Sequence, residues 1–126
     1  QLRLPCVVTG GKEDVPAAGR IQQEAPPGLV DLAGQTRIGQ LVHVLQHASV
    51  VITCDTGPMH LAVALNTPVV ALFGPSDPHR TGPFRGRVIK ASVDCAPCNR
   101  KSCPDPVCMR QIGPQPVIEQ VKGLLQ

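Results

Sequence analysis

At 126 residues the chain has room for one compact domain with a real core, and too little for two of ordinary size. Hydrophobic residues make up 42% of it, yet Trp and Tyr are absent and Phe73 and Phe84 are its only aromatics, which makes the core aliphatic and leaves no platform for stacking single-stranded nucleic-acid bases. The net charge of +3 is uneven: Arg80, Arg85, Arg87, Lys90, Arg100, Lys101 and Arg110 share one stretch with only Asp94 and Asp105, so that half attracts an anionic partner other than nucleic acid. No apolar run approaches the roughly 18 residues of a membrane span, and residues 1–11 are too short and polar for a signal peptide. The expectation is a soluble, cytoplasmic, single domain over 1–126.

Residues 4–9 form a short apolar, β-branched run ending at Gly10-Gly11, which suits a buried parallel strand and a turn. A short helix over 16–24 is broken by Pro26-Pro27-Gly28, and residues 29–32 read as a second brief strand before the Gly34-Gln35 turn. From Thr36, a candidate N-cap, Ile38, Leu41, Val42 and Leu45 recur at helical spacing up to Gln46. Residues 49–53 make a strand, 58–65 a helix apolar nearly all round, and 69–73 another strand. This β-turn-α-β order is a crossover unit, which builds a parallel sheet with its ligand loops at the carboxyl ends of the strands. A last strand over 88–91, a Cys/Pro-rich loop over 95–108 and a helix over 116–125 complete the chain. The fold class is therefore α/β, a Rossmann-like parallel sheet with flanking helices.

The most informative stretch is Val50-Val51-Ile52-Thr53-Cys54-Asp55-Thr56-Gly57-Pro58-Met59-His60, where a buried strand runs into a helix through a polar turn. Gly57 lets a ligand approach the backbone, Pro58 suits the first helical turn, and the helix N-terminus favours negative charge, so a diphosphate is the natural guest. Asp55 repels phosphate and is better suited to accept from sugar hydroxyls or from the turn's own amides. A plain Asp/Thr helix cap explains the same residues, and spacing alone does not choose. His60 either faces the same crevice or is a core histidine. His43 and His47 have the i, i+4 spacing of metal ligands but lie opposite the apolar face of their helix and read as solvent-exposed.

A second polar turn, containing Gly74, Ser76 and Asp77, follows the next strand, and two adjacent ligand loops would make a pocket; a rigid turn closed by Asp77 is the plainer reading. Glu13, after the Gly10-Gly11 turn, could accept from both ribose hydroxyls, although a surface Glu is the commoner case. Cys95, Cys98, Cys103 and Cys108, interleaved with Pro97, Pro104 and Pro106, suit a loop folded around a tetrahedral structural zinc; two local disulfides are an equal alternative, and an iron–sulfur cluster is a third.

Taken together, Asp55-Thr56-Gly57-Pro58-Met59-His60-Leu61-Ala62 and Thr67-Pro68-Val69-Val70-Ala71-Leu72-Phe73-Gly74-Pro75-Ser76-Asp77-Pro78 resemble the signature of the ADP-heptose:lipopolysaccharide heptosyltransferases, glycosyltransferase family 9. The likeness extends back through Leu32-Ala33-Gly34-Gln35-Thr36 and Gly10-Gly11-Lys12-Glu13, and forward to Cys108-Met109-Arg110-Gln111-Ile112. It implies the carboxyl-terminal, donor-binding half of a GT-B enzyme that transfers heptose, or a related sugar, from ADP-heptose to lipopolysaccharide core with inversion and without a catalytic metal. By motif, Thr56, Gly57 and nearby amides, Met59's among them, would bind the diphosphate; Asp55 and His60 would face sugar or phosphate; Glu13 would take the ribose; and the backbone near Thr36 would meet the adenine. The resemblance places the catalytic carboxylate and the acceptor site in an amino-terminal domain that this chain does not contain. It likewise places a phosphate-binding Lys, and the first strand and helix of the donor domain, upstream of residue 1. The isolated chain is therefore expected to be inactive, to pair its open sheet edge with a second copy, and, in the whole protein, to work in the cytoplasm at the periphery of the inner membrane. A zinc-stabilised basic interaction module without catalysis is the alternative from another class, and a sugar-nucleotide epimerase of similar fold is the third.

Overall fold

The computed structural model describes residues 4–126. Backbone contacts gather these into two compact units, one up to His43 and one from Val44 onward.

In the first unit, β1 (Val7–Val8) pairs in parallel with β2 (Val30–Asp31), Val7 opposite Val30 and Val8 opposite Asp31. Both strands are shorter than their apolar runs, because Leu4, Pro5 and Cys6 remain exposed and only two residues on each side enter the ladder. Between them a 3₁₀ turn (Lys12–Asp14) leads into α1 (Val15–Glu24), with Pro16 in its first turn, where a missing N–H costs nothing. The carboxylate of Asp14 accepts the Gly11 amide at 2.8 Å and closes that turn. Helix α2 (Ile38–His47), which spans the boundary between the units, starts one residue later than a Thr36 cap would place it. Arg37 takes the cap position: its carbonyl accepts the Leu41 amide at 2.9 Å, and Gln40 Oε1 reaches back to accept the Arg37 amide at 2.8 Å.

The second unit holds a three-stranded parallel sheet in the order β3 (Val51–Cys54), β4 (Val69–Phe73), β5 (Arg87–Lys90). Val51 faces Val69 and Cys54 faces Leu72 in the first ladder, and Val70 to Phe73 face Arg87 to Lys90 in the second. Strand β4 is central, and Val69, Val70, Ala71 and Phe73 are buried, as a near-continuous apolar run on a two-sided parallel strand requires. Helix α3 (Gly57–Ala64) packs on β3 and β4 and contributes the fully buried Met59 and Ala62, and α6 (Pro114–Leu124) packs on β4 and β5 through Val121. Burial of side chains such as Met59 and Phe73 stabilises the unit by roughly 1.5–3 kcal/mol each.

Two one-turn helices, α4 (Pro78–Thr81) and α5 (Val107–Arg110), fall where the sequence reads as loop. They are too short to show an apolar period, and α4 is held by its cap instead: Asp77 Oδ1 accepts the His79 amide at 2.9 Å. The parallel strands with flanking helices confirm the α/β class. Among the described residues the strands form a two-stranded sheet, β1–β2, and a three-stranded one, β3–β4–β5.

Candidate functional site

The polar turn between β3 and α3 lies at the carboxyl edge of the three-stranded sheet, as the crossover order predicts. Its two cap candidates do not cap the helix. Thr56 occupies the N-cap position with extended backbone (φ −144°, ψ 168°) and makes no side-chain bond to the helix amides. Its hydroxyl turns back to donate to the Cys54 carbonyl at 3.3 Å and lies 3.3 Å from the Thr53 hydroxyl. Asp55 points elsewhere, accepting from the Thr81 hydroxyl at 2.7 Å. The first turn of α3 therefore carries no side-chain acceptor. A side chain built on Gly57 would find nothing within 4 Å, so the approach to its amide is open.

The other residues of this turn separate by face. His60 is exposed, which removes the core-histidine reading. Met59 has no exposed surface and its amide donates to the Thr56 carbonyl at 3.1 Å. It therefore anchors α3 to the core, and the suggested contact of Met59 with a ligand does not fit its placement. Beside the turn, the thiol of Cys54 is pushed above its usual pKa, first by burial and then by the negative charge of Asp55. It stays protonated at neutral pH and makes a poor nucleophile.

The second turn, after β4, is tied to the first through Thr81, a residue that no periodicity singles out and that lies 26 positions from its partner. Asp77 serves the plainer of its two roles, as cap of α4, and Ser76 and Asp77 line a cavity of about 190 Å³ together with Gly74, Lys90, Ser92 and Ala96. That cavity opens between the second turn and the segment after β5 and does not include Asp55 to His60. The two turns are joined by the Thr81–Asp55 hydrogen bond.

The Cys-rich loop is fastened to the same turn. The amides of Cys98 and Asn99 both donate to the Pro75 carbonyl, at 3.0 and 2.7 Å. Cys95, Cys98 and Cys103 are exposed, whereas Cys108, on α5, is buried. A Cβ on Gly74 would meet Cys108 Sγ at 3.1 Å and collide with Met109, so glycine is what lets α5 pack under the turn. All six cysteines are free thiols, and among the described residues no three His, Cys, Asp or Glu side chains converge as a metal-holding group. Cys108 packs below Gly74, while Cys95, Cys98 and Cys103 stand at the surface of the loop.

Glu13 and Thr36 belong to the first unit. Glu13 is exposed on the 3₁₀ turn with its carboxylate folded over Gly11, and Thr36 precedes the Arg37 cap of α2. His43 and His47 are exposed on α2, as expected. Among the described residues no helix is long and apolar enough to cross a membrane.

Parallel strands with flanking helices, and a strand-to-helix turn at the carboxyl edge of the sheet, define a Rossmann-like α/β domain. The sequence model of glycosyltransferase family 9 (heptosyltransferase) matches residues 3–108. The chain is 35% identical over 101 residues to lipooligosaccharide heptosyltransferase 2 of Campylobacter jejuni, covering 76% of this chain and 32% of that protein. It is 37% identical over 105 residues to lipopolysaccharide heptosyltransferase 2 of Escherichia coli, covering 75% and 28% respectively. The solved structure of the E. coli ADP-heptose lps heptosyltransferase II superposes with a TM-score of 0.80 at 32% identity, over 94% of this chain and 35% of that one. A family 9 glycosyl transferase from Veillonella parvula superposes at 0.78 with 26% identity, over 94% and 36%. This chain belongs to glycosyltransferase family 9, the heptosyltransferase family, and spans about a third of the length of the relatives it matches.

Proposed function

We propose that this chain is the sugar-nucleotide-binding part of an inverting glycosyltransferase that moves heptose from ADP-heptose to lipopolysaccharide core. The observation that carries the reading is the uncapped start of α3: Thr56 and Asp55 both turn away, and Gly57 stands open. A helix N-terminus without a side-chain acceptor offers orphan N–H groups and a positive dipole end to a diphosphate. The same donors would stabilise the departing diphosphate as the glycosidic bond breaks through an oxocarbenium-like transition state, a role that needs no metal ion. His60 adds an exposed side chain on the same first turn, and Asp55 a carboxylate for sugar hydroxyls. Glu13 is assigned to the ribose and the backbone near Thr36 to the adenine by family resemblance. The base and the acceptor site are assigned to the remainder of the protein, which acts in the cytoplasm at the inner membrane; the 126-residue chain binds donor without turnover.

Calorimetry with ADP and ADP-heptose tests this. Gly57→Val should abolish binding of both while leaving the unfolding midpoint within a degree or two, since its side chain enters empty space. Unchanged binding in that variant would overturn the proposal. Loss of anion binding only on Cys98→Ser or chelation would favour the basic zinc-stabilised module instead.

A further inference from the structure

Asp55 lies two residues before the first residue of α3, and its orientation is set from outside its own turn. Thr81 Oγ1 donates to Asp55 Oδ2 at 2.7 Å and lies 3.3 Å from the Asp77 carbonyl. A hydroxyl carries a single hydrogen, and the shorter contact to the charged acceptor holds it. The platform under Thr81 is rigid for its size. Pro78 fixes the first residue of α4, Asp77 Oδ1 accepts the His79 amide, and the amides of Arg80 and Thr81 both donate to the Asp77 carbonyl at 3.0 and 3.2 Å. The Gly82 amide then closes on the Pro78 carbonyl at 2.9 Å, in a turn so tight that any Cβ on Gly82 would collide with that oxygen. Thr81 is also β-branched, which restricts its hydroxyl to few side-chain rotamers.

We infer that Thr81 is a positioning residue for the donor sugar. By occupying Oδ2 it fixes the plane of the Asp55 carboxylate and leaves Oδ1, which has no partner among the described residues, to accept a sugar hydroxyl. The inference rests on the donor-binding reading of the α3 turn, and it makes a narrower claim: Thr81 acts on the sugar and not on the nucleotide. A free carboxylate at the same place would rotate, and part of its hydrogen bonding to the sugar would be lost on average.

The test uses the full-length protein, with ADP-heptose and ADP as separate titrants. Thr81→Val, which is isosteric and exposed, should weaken ADP-heptose roughly tenfold, the size of one lost charge-assisted hydrogen bond. It should leave ADP affinity within about twofold, and Thr81→Ser should restore the sugar nucleotide to near the parent value. Combined with Asp55→Asn, Thr81→Val should add almost nothing, because both remove one arrangement. Equal weakening of ADP and ADP-heptose, or a full additive loss in the double variant, would overturn the inference in favour of a general structural role. No effect of Thr81→Val where Asp55→Asn does weaken ADP-heptose would overturn it while leaving the donor site standing. No effect of Asp55→Asn on either titrant would remove the assignment of the sugar to Asp55, and this inference with it.

Discussion

The buried hydroxyl of Thr67, in the turn that feeds β4, donates to the carbonyl of Leu45 in the last turn of α2 at 2.9 Å. The bond satisfies two polar groups that the apolar surroundings would otherwise penalise, and it ties the end of a helix to the start of the central strand. Thr67→Val keeps the shape and removes the donor. Because Leu45 O retains a longer bond from the Ala48 amide at 3.3 Å, the loss should be about 1–2 kcal/mol rather than more, read from the urea unfolding midpoint. Thr67→Ser should recover most of it.

Gly86 opens β5 with φ of +122°, a conformation that side chains resist, and a Cβ there would lie 2.9 Å from the Val69 carbonyl. That oxygen belongs to the backbone of the central strand and cannot yield as a flexible side chain would. Gly86→Ala should therefore destabilise the second unit by roughly 1–3 kcal/mol, measured by thermal or denaturant unfolding.

The cysteines should separate by alkylation rate. Cys95, Cys98 and Cys103 are exposed and should react with iodoacetamide first, while Cys108, buried, reacts only as the protein opens. Cys54, although exposed as a residue, should lag behind Cys95, Cys98 and Cys103 near neutral pH and gain rate at higher pH, because partial burial of its thiol and the charge of Asp55 hold its pKa above the usual value. Removing that negative charge in Asp55→Asn lowers the pKa, raises the thiolate fraction and should speed the Cys54 reaction. Mass mapping of labelled peptides reads all of this, and protection of Cys95, Cys98 and Cys103 that disappears on chelation would instead reveal zinc in the loop.

Strand β3 pairs with β4 on one side, has no strand partner on the other among the described residues, and exposes Ile52 to 53%. We propose that the 126-residue chain covers this edge by pairing with a second copy. Light scattering should show a dimer at high concentration that Ile52→Lys returns to monomer, and a monodisperse monomer of the parent chain would count against the pairing.

Several of these elements were readable without coordinates, for a common reason. The central strand matches its predicted span at both ends, because Val69-Val70-Ala71-Leu72-Phe73 is a short apolar run between a Pro and a Gly, and such runs have few other places to go. Helices α1, α3 and α6 start within two residues of their predicted spans, each with a proline in the first turn as a positional marker. Helix α2 begins one residue past the position a Thr36 cap implies, since Thr36 is the better intrinsic cap but Gln40 reaches Arg37 instead.

At the site, the sequence by itself determined the class of surface: a strand must run into a helix at Asp55 to His60, and the helix start must favour an anion, because these follow from chain order and backbone polarity. It could not determine whether that start was already capped. Side chains of Asp and Thr reach a cap and a distant partner equally well, so the outcome depends on what the fold brings near. Only the tertiary structure decided it, by placing Thr81 2.7 Å from Asp55, turning Thr56 back on Cys54, sinking Met59 into the core and leaving His60 outside. The same holds for Cys108, which the chain groups with three other cysteines and which only the fold shows to be buried beneath Gly74. Local pattern fixes elements because their hydrogen bonds are local; partners 26 residues apart are chosen by packing.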